Sequence, residues 1–298
     1  MATILAVVAS TTAASRATAD ELRWKFKKGE ALHYEMVQKT VTEIKANGQE
    51  IKTTLGQTIN STWKVDSVAE DGTADLAQSL DRVRTKIESA FGAFEFDSDV
   101  EKVPEGPIAA GVVPLLKTLV GATFRYKMSP RGELSDIRVP EGLVQKLKEA
   151  GPTAANVGMF SEEGLKNMIL ESSLNFPAEP LEIGKSWSRQ SKIPSPPIGT
   201  LVMNKTYRYE GPSQKGERIG LEVLIELESM PNNPIDVKLG DQNGKGFFIF
   251  DNQSGRVVES GVGEKVQMVI KVMDQELSQI TDTSTAMKLL DVKAAEPK

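Results

Sequence analysis

Ile51-Lys-Thr-Thr-Leu55-Gly-Gln-Thr-Ile59-Asn-Ser-Thr-Trp63-Lys-Val65 decides how this chain is read. Ile51, Leu55, Ile59, Trp63 and Val65 all fall on odd positions, with Lys52, Thr54, Asn60 and Lys64 between them. A period of two sends alternate side chains to opposite faces, so this is a long, half-buried β-strand. Asn47-Gly48 just before it is a strong signal for a tight hairpin turn. The partner strand is expected at about 31–45, with Leu32, Tyr34, Met36 and Ile44 sharing a face. After the strand, Glu70-Asp71-Gly72 turns the chain into 73–87. There the apolar set moves from even positions (Ala74, Leu76, Leu80) to odd ones (Val83, Ile87), as a β-bulge would require.

The same unit recurs. Asn60-Ser-Thr62-Trp63 returns as Asn204-Lys-Thr206-Tyr207, and Gly72 as Gly216, at a constant offset of 144 residues. Leu201, Met203, Tyr207 and Tyr209 share a face, and Ile219, Leu221, Val223, Ile225 and Leu227 give the cleanest alternation in the chain. A hairpin around Gly132, from Phe124 onward, resembles one around Gly255, from Phe248 onward. Further antiparallel strands are expected at 247–250, 256–262, 265–273 and 286–292. The fold class expected is α+β and mainly β. Two similar antiparallel meanders form a large curved sheet or two half-barrels, with a few helices covering one side.

The expected organisation is a first β-rich unit over 20–138, a helical connector over 139–175 and a second β-rich unit over 176–292. The first unit carries a helical insertion at about 105–120, where Pro107–Leu119 has helical spacing and Pro114 should kink or split it. Helices are also expected at about 140–149 and 161–171. Ser161 followed by Glu162 and Glu163 is an N-cap with an acidic first turn. Pro194-Ser-Pro-Pro197 reads as a loop, and Gly244-Lys-Gly246 as a hairpin turn. Residues 1–19 read as a signal peptide or a tail, since Ile4–Val8 is a short apolar core and Ala17-Thr-Ala19 a small-x-small cleavage pattern. Residues 293–298 read as a second tail. The expectation is export to the periplasm, cell envelope or exterior.

Composition narrows function. A net charge of −5 without a dense Lys/Arg cluster argues against a nucleic-acid surface. No apolar run is long enough for a transmembrane helix. The absence of cysteine removes thiol nucleophiles and thiolate metal sites. His33 is the only histidine and shares a strand face with Glu35, Lys39 and Glu43, which reads as a solvated face. Asp97, Asp99 and Glu101 offer alternating oxygen ligands, a weak calcium candidate that turn chemistry explains better. Paired acids for hydrolysis are not singled out by any spacing, and no cofactor is implied.

The aromatic of each copy points to the apolar face. As simple core anchors they need no ligand, and that reading has most of the weight. As a cavity lining, Trp63, Tyr207, Phe124, Phe248 and Met203 would enclose an apolar ligand, and Leu116 would belong to a lid helix at 108–119.

Several pieces resemble an uncharacterised family of exported bacterial proteins defined only as a domain of unknown function. They include Leu22-Arg-Trp-Lys-Phe26, Trp63 to Gly72, Phe94-Glu-Phe-Asp97-Ser98 and Ser129-Pro-Arg-Gly132. Phe176 to Pro180 leading to Gly184-Lys-Ser-Trp187, and Gly246 to Asp251 leading to Gly255-Arg256, complete the set. The resemblance implies no catalytic residue. More remotely, a long curved sheet covered by helices is similar in fold to periplasmic lipoprotein carriers. The reading placed first is a non-catalytic exported domain that binds a lipid or other apolar molecule, or an envelope protein. A purely structural or interaction module with a filled core comes second, and a carboxylate-dependent hydrolase last.

Overall fold

The computed structural model describes residues 21–290 apart from 47, 103, 150–160, 196–197, 230–234 and 273–274. The processing site expected near residue 19 and the 293–298 tail therefore lie outside the described residues. The strands in chain order are β1 (Ala31–Ala46), β2 (Gln49–Val68), β3 (Ala74–Ser89), β4 (Gly92–Asp97), β5 (Thr123–Met128) and β6 (Leu134–Arg138). They continue as β7 (Ser186–Ser195), β8 (Gly199–Ser213), β9 (Gly216–Ser229), β10 (Ile235–Asp251), β11 (Arg256–Val272) and β12 (Gln275–Leu289). Among the described residues three helices join them: α1 (Pro107–Leu119), α2 (Leu143–Glu149) and α3 (Glu162–Glu171). With 64% strand against 12% helix, the molecule is mainly β.

All twelve strands belong to one open antiparallel sheet, in the order β6-β5-β3-β2-β1-β12-β11-β10-β9-β8-β7, with β4 paired to β3. The chain runs from the middle of the sheet to one edge, crosses to the other edge, and meanders back until β12 pairs with β1. Read across the sheet, β1-β2-β3-β5-β6 repeats as β7-β8-β9-β10-β11. The repetition reaches single residues. β2 carries a register shift against β3 between Val65 and Ser67, and β8 carries one against β9 between Tyr209 and Gly211. The two sit at the same 144-residue offset as Trp63 and Tyr207. The parity change in β3 is likewise a bulge, opposite Asn60/Ser61.

The sheet is rolled, and one end of the roll is filled. Flat, β2 and β10 would lie about 19 Å apart, four strand spacings. Yet the Trp24 ring is 6.3 Å from Trp63 and 5.6 Å from Phe250. The Tyr34 hydroxyl also donates to Val257 O at 3.1 Å. The N-terminal segment staples this end: Trp24 N–H donates to Pro130 O (2.7 Å) and Lys25 N–H to Gly255 O (3.0 Å). It thereby ties together the tips of the two equivalent hairpins, β5–β6 and β10–β11. The edges meet here too. Asn175 Nδ2 donates to Gly132 O beside β6, Trp187 Nε1 of β7 donates to Asn175 O, and α3 packs on both edge strands.

Several local expectations are corrected. The two strands expected at 256–262 and 265–273 are replaced by one, β11 (Arg256–Val272), and the last strand begins at Gln275 rather than near 286. Gly244-Lys-Gly246 lies inside β10, not in a turn. A Cβ on Gly244 would come within 2.6 Å of Val223 O, and one on Gly246 within 2.5 Å of Gly261 O, so close backbone approach, not chain reversal, demands glycine there. Pro194 sits in β7, an edge strand, where a missing N–H is tolerated. α1 runs through Pro114 without a break.

Candidate functional site

The register of the ladders assigns every strand residue to the inner or the outer face of the roll. At the closed end the inner face is an aromatic plug. Trp63, Phe124 and Tyr207 are buried, each at most 5% exposed; Trp63 stacks on Trp24 and meets Tyr34 at a tilt, and Tyr207 stacks on Trp187. Burial pushes the Tyr207 hydroxyl up to about 12. Phe248 and Met203 are partly buried against this plug. Leu116 lies in a second cluster, where Ala109 and Val113 of α1 join it on Val83, Phe94 and Phe96. Trp63, Tyr207, Phe124, Phe248 and Met203 are thus gathered at one end of the roll, and Leu116 sits apart over β3–β4.

Beyond the plug the inner face has another character. Ile44, Ile51 and Leu55 of β1–β2, Val266, Met268 and Ile270 of β11, Leu239 of β10 and Leu227 of β9 are neither buried nor fully exposed. The helices lie at the closed end and along β4, β6 and β7. Among the described residues these side chains form an apolar trough outside both core clusters, although Val237 of β10, opposite Ile270, is buried. A polar strip runs across its middle. Thr40 and Thr283 approach with Oγ1 atoms 3.2 Å apart, and Gln38 Nε2 reaches Thr285 Oγ1 at 3.5 Å.

The trough also opens sideways. β9 and β10 pair only from Glu217/Phe250 to Val223/Gly244, and beyond that point they separate. The last rung is made by a side chain: Gln242 accepts from Ile225 N–H and donates to Ile225 O, both at 2.8 Å. From there Leu224–Ser229 has no ladder partner on its β10 side among the described residues. The result is a slit in the wall whose apex is the Val223/Gly244 pair, bridged just beyond it by the Gln242 side chain.

Four ionisable groups sit between plug and trough. Arg189, Lys205, Val223, Gly244, Glu264, Thr283 and Thr40 form one cross-strand row. Lys205 is 9% exposed; its Nζ pairs with Glu171 Oε2 at 2.7 Å and donates to Glu171 O at 3.0 Å. Arg189 donates to Leu170 O (3.0 Å) and Asn175 Oδ1 (2.9 Å). Both cations thus satisfy the orphan carbonyls at the C-terminus of α3, where the helix dipole favours positive charge. Burial works against ionising Glu171, but Lys205 and then Arg189 hold it below the usual carboxylate range. Glu264 differs. Burial pushes its carboxyl up, opposed by the charge of Lys205, and it has no hydrogen bond or ion pair with a described residue. These two acids, with opposite shifts, do not flank open space, since Glu171 Oε2 is buried against Lys205.

The outer face is ionic. A pocket of about 630 Å³ lies over β1–β4 around Val37, Gly56, Arg84 and Lys86, with the acids Glu88 and Glu95 both paired to Lys86. Asp97 and Asp99 both pair with Arg82, which holds Asp97 low and occupies the oxygens a calcium ion would need. Among the described residues no group of three or more His, Asp or Glu is arranged to hold a metal. His33 Nδ1 meets Thr62 Oγ1 at 2.9 Å, and Thr62 donates to Asp81 Oδ2 at 2.6 Å. That chain resembles a triad in composition. Its hydroxyl proton points to the carboxylate rather than the imidazole, on a solvated face.

The chain belongs to a family of unknown function, DUF6263. The family model matches residues 71–226, just over half of the chain. No curated protein matches. Among solved structures, lipovitellin is similar at 10% identity and a TM-score of 0.51, in a structure described by its lipid–protein interactions. That match covers 92% of this chain but only 27% of the lipovitellin chain, and at this identity it shows the fold alone. An outer-membrane channel from Pseudomonas putida F1 matches over 90% of this chain and 97% of its own, at 9% identity and a TM-score of 0.29. A DUF1329 family protein from Desulfovibrio piger matches over 88% and 87%, at 11% identity and a TM-score of 0.15. Among the described residues no helix is long and apolar enough to cross a membrane, which says nothing of a β-barrel.

Sequence reasoning reached the aromatic plug through its period-two strands. The slit and Glu264 escaped it, because both depend on pairings between β9, β10 and β11 that local patterns do not encode. Gly244 and Gly246 were the available signal: two glycines inside an alternating segment mark close backbone approach as readily as a turn.

Proposed function

We propose that this protein is a non-catalytic carrier or receptor for an apolar, chain-bearing molecule, held on the inner face of the rolled sheet. The observation that carries the reading is the apolar trough beyond the plug. Half-exposed Leu, Ile, Val and Met side chains there form one concave surface instead of being scattered singly. A rolled sheet filled at one end and open at the other offers a chain a blind slot, where apolar burial contributes about 25 cal/mol per Å². In this reading Met203 and Phe248 meet the deepest part of the ligand, and Trp63, Tyr207 and Phe124 are the packed floor beneath. Leu116 holds α1 as a side cover over β3–β4. The fold shared with lipovitellin, a protein described by its lipid interactions, supports the same class of ligand. Export to the envelope, suggested by the pattern at 4–19, would place the protein beside such molecules.

Native mass spectrometry of the protein purified from its own host tests the reading. A co-purifying adduct of several hundred daltons, removed by organic extraction, is the expected result. An unadorned mass under gentle ionisation, with no uptake of added lipid, would overturn it.

A further inference from the structure

We infer that Glu264, at the apex of the slit between β9 and β10, receives the polar head of the bound molecule, and that this head is an amine or another cationic hydrogen-bond donor. The inference rests on the carrier reading above and adds the chemistry of the head. The geometry comes first. Glu264 lies on the inner face of β11, directly across the ladder from Gly244, and Gly244 with Val223 is the last pair before β9 and β10 part. On its other side Glu264 faces Thr283, whose hydroxyl meets Thr40.

Charge comes second. Each of the other three ionisable groups of this inner-face row and its covering helix is committed: Lys205 to Glu171, Arg189 to the end of α3 and Asn175, Glu171 to Lys205. Among the described residues Glu264 has no hydrogen-bond or ion-pair partner, although it is half-buried and burial already disfavours its charge. A desolvated carboxylate without a donor is a cost the free protein bears, and a donor brought by the ligand removes it. An amine above an alkyl chain fits both parts: the chain lies on the apolar trough, and the ammonium meets the carboxylate on the same inner face, where the trough ends at the plug. A ligand bearing its own carboxylate would meet Glu264 unfavourably, since two acids so placed cannot both ionise.

The test compares octylamine and 1-octanol binding to the full chain by calorimetry at pH 7. Each is measured with the wild type and with Glu264→Gln, which keeps the shape and removes the charge. The wild type is expected to prefer octylamine at least about tenfold, as a charge-assisted hydrogen bond provides. Glu264→Gln should lose that preference while binding octanol as before, so octanol binding also reports that the variant is folded. Equal binding of the two by the wild type, or an amine preference surviving in Glu264→Gln, would overturn the assignment and leave the carrier reading standing. Failure of both molecules to bind would overturn the two together.

Discussion

Glu264 and Glu171 show how neighbours a few ångströms away set the behaviour of a carboxylate. Glu171 is held charged by Lys205 and Arg189, whereas Glu264 is only desolvated. Their contributions to stability therefore run in opposite directions with pH. For Glu171, whose folded pKa is depressed, the stabilisation is present above the unfolded value and is lost as pH falls through the folded one. Glu264, with a raised folded pKa, favours the folded state at low pH and opposes it as pH rises through that value. Glu264→Gln should therefore raise the melting temperature at pH 8, and the gain should vanish near pH 4, as a thermal-melt series would show. Glu171→Ala should do the reverse and more strongly. It strands Lys205 in a nearly buried site, and denaturant melts at pH 7 should show a loss of roughly 3 kcal/mol.

Among the elements, the N-terminal segment has an effect out of proportion to its length. Leu22, Trp24 and Lys25 form no regular structure, yet they join the tips of two hairpins that lie far apart in the sheet. Trp24→Ala should cost about 3–5 kcal/mol in a denaturant melt, as for other buried aromatics. Gly132 stands at the contact point with φ near 84°, and a Cβ there would overlap Leu174 O and the Trp24 indole. Gly132→Ala should therefore destabilise the closed end, with increased amide exchange at Trp24 as the readout, because alanine adds both backbone strain and a clash.

The strands themselves were the legible part of the sequence. Ile51, Leu55, Ile59, Trp63 and Val65 share the odd-numbered face, and the parity change at Leu80–Val83 marks the bulge in β3. The duplication at offset 144 carries through to matching bulges beside Val65 and Tyr209. What stayed hidden was pairing at long range. β11 reads as two strands because Gly261, Gly263 and Glu264 interrupt its apolar run. β12 reads as loop through most of its length because its inner positions are threonine and glutamine, which make a polar strip instead of a core. The apolar residues of the trough were visible one at a time, but a single strand does not reveal that their shared face lies outside the core clusters.

For the molecule as a whole, the duplication explains why one sheet has both a filled end and an open one. Two meanders joined edge to edge through β1 and β12 make a sheet too wide to stay flat, and the roll needs filling. Trp24, the connector around Asn175 and α2–α3 fill one end. The other end, with β9 and β10 parted, is left for something else. The most direct measurement is titration of the full chain with the neutral fluorescent probe N-phenyl-1-naphthylamine, comparing wild type with Met268→Asp. Met268 lines the trough far from the plug, so the account predicts saturable binding by the wild type. It predicts at least about tenfold weaker binding by Met268→Asp, from a charge placed on an apolar wall, with an unchanged melting temperature. No saturable binding by the wild type, or equal binding by the folded variant, would contradict it.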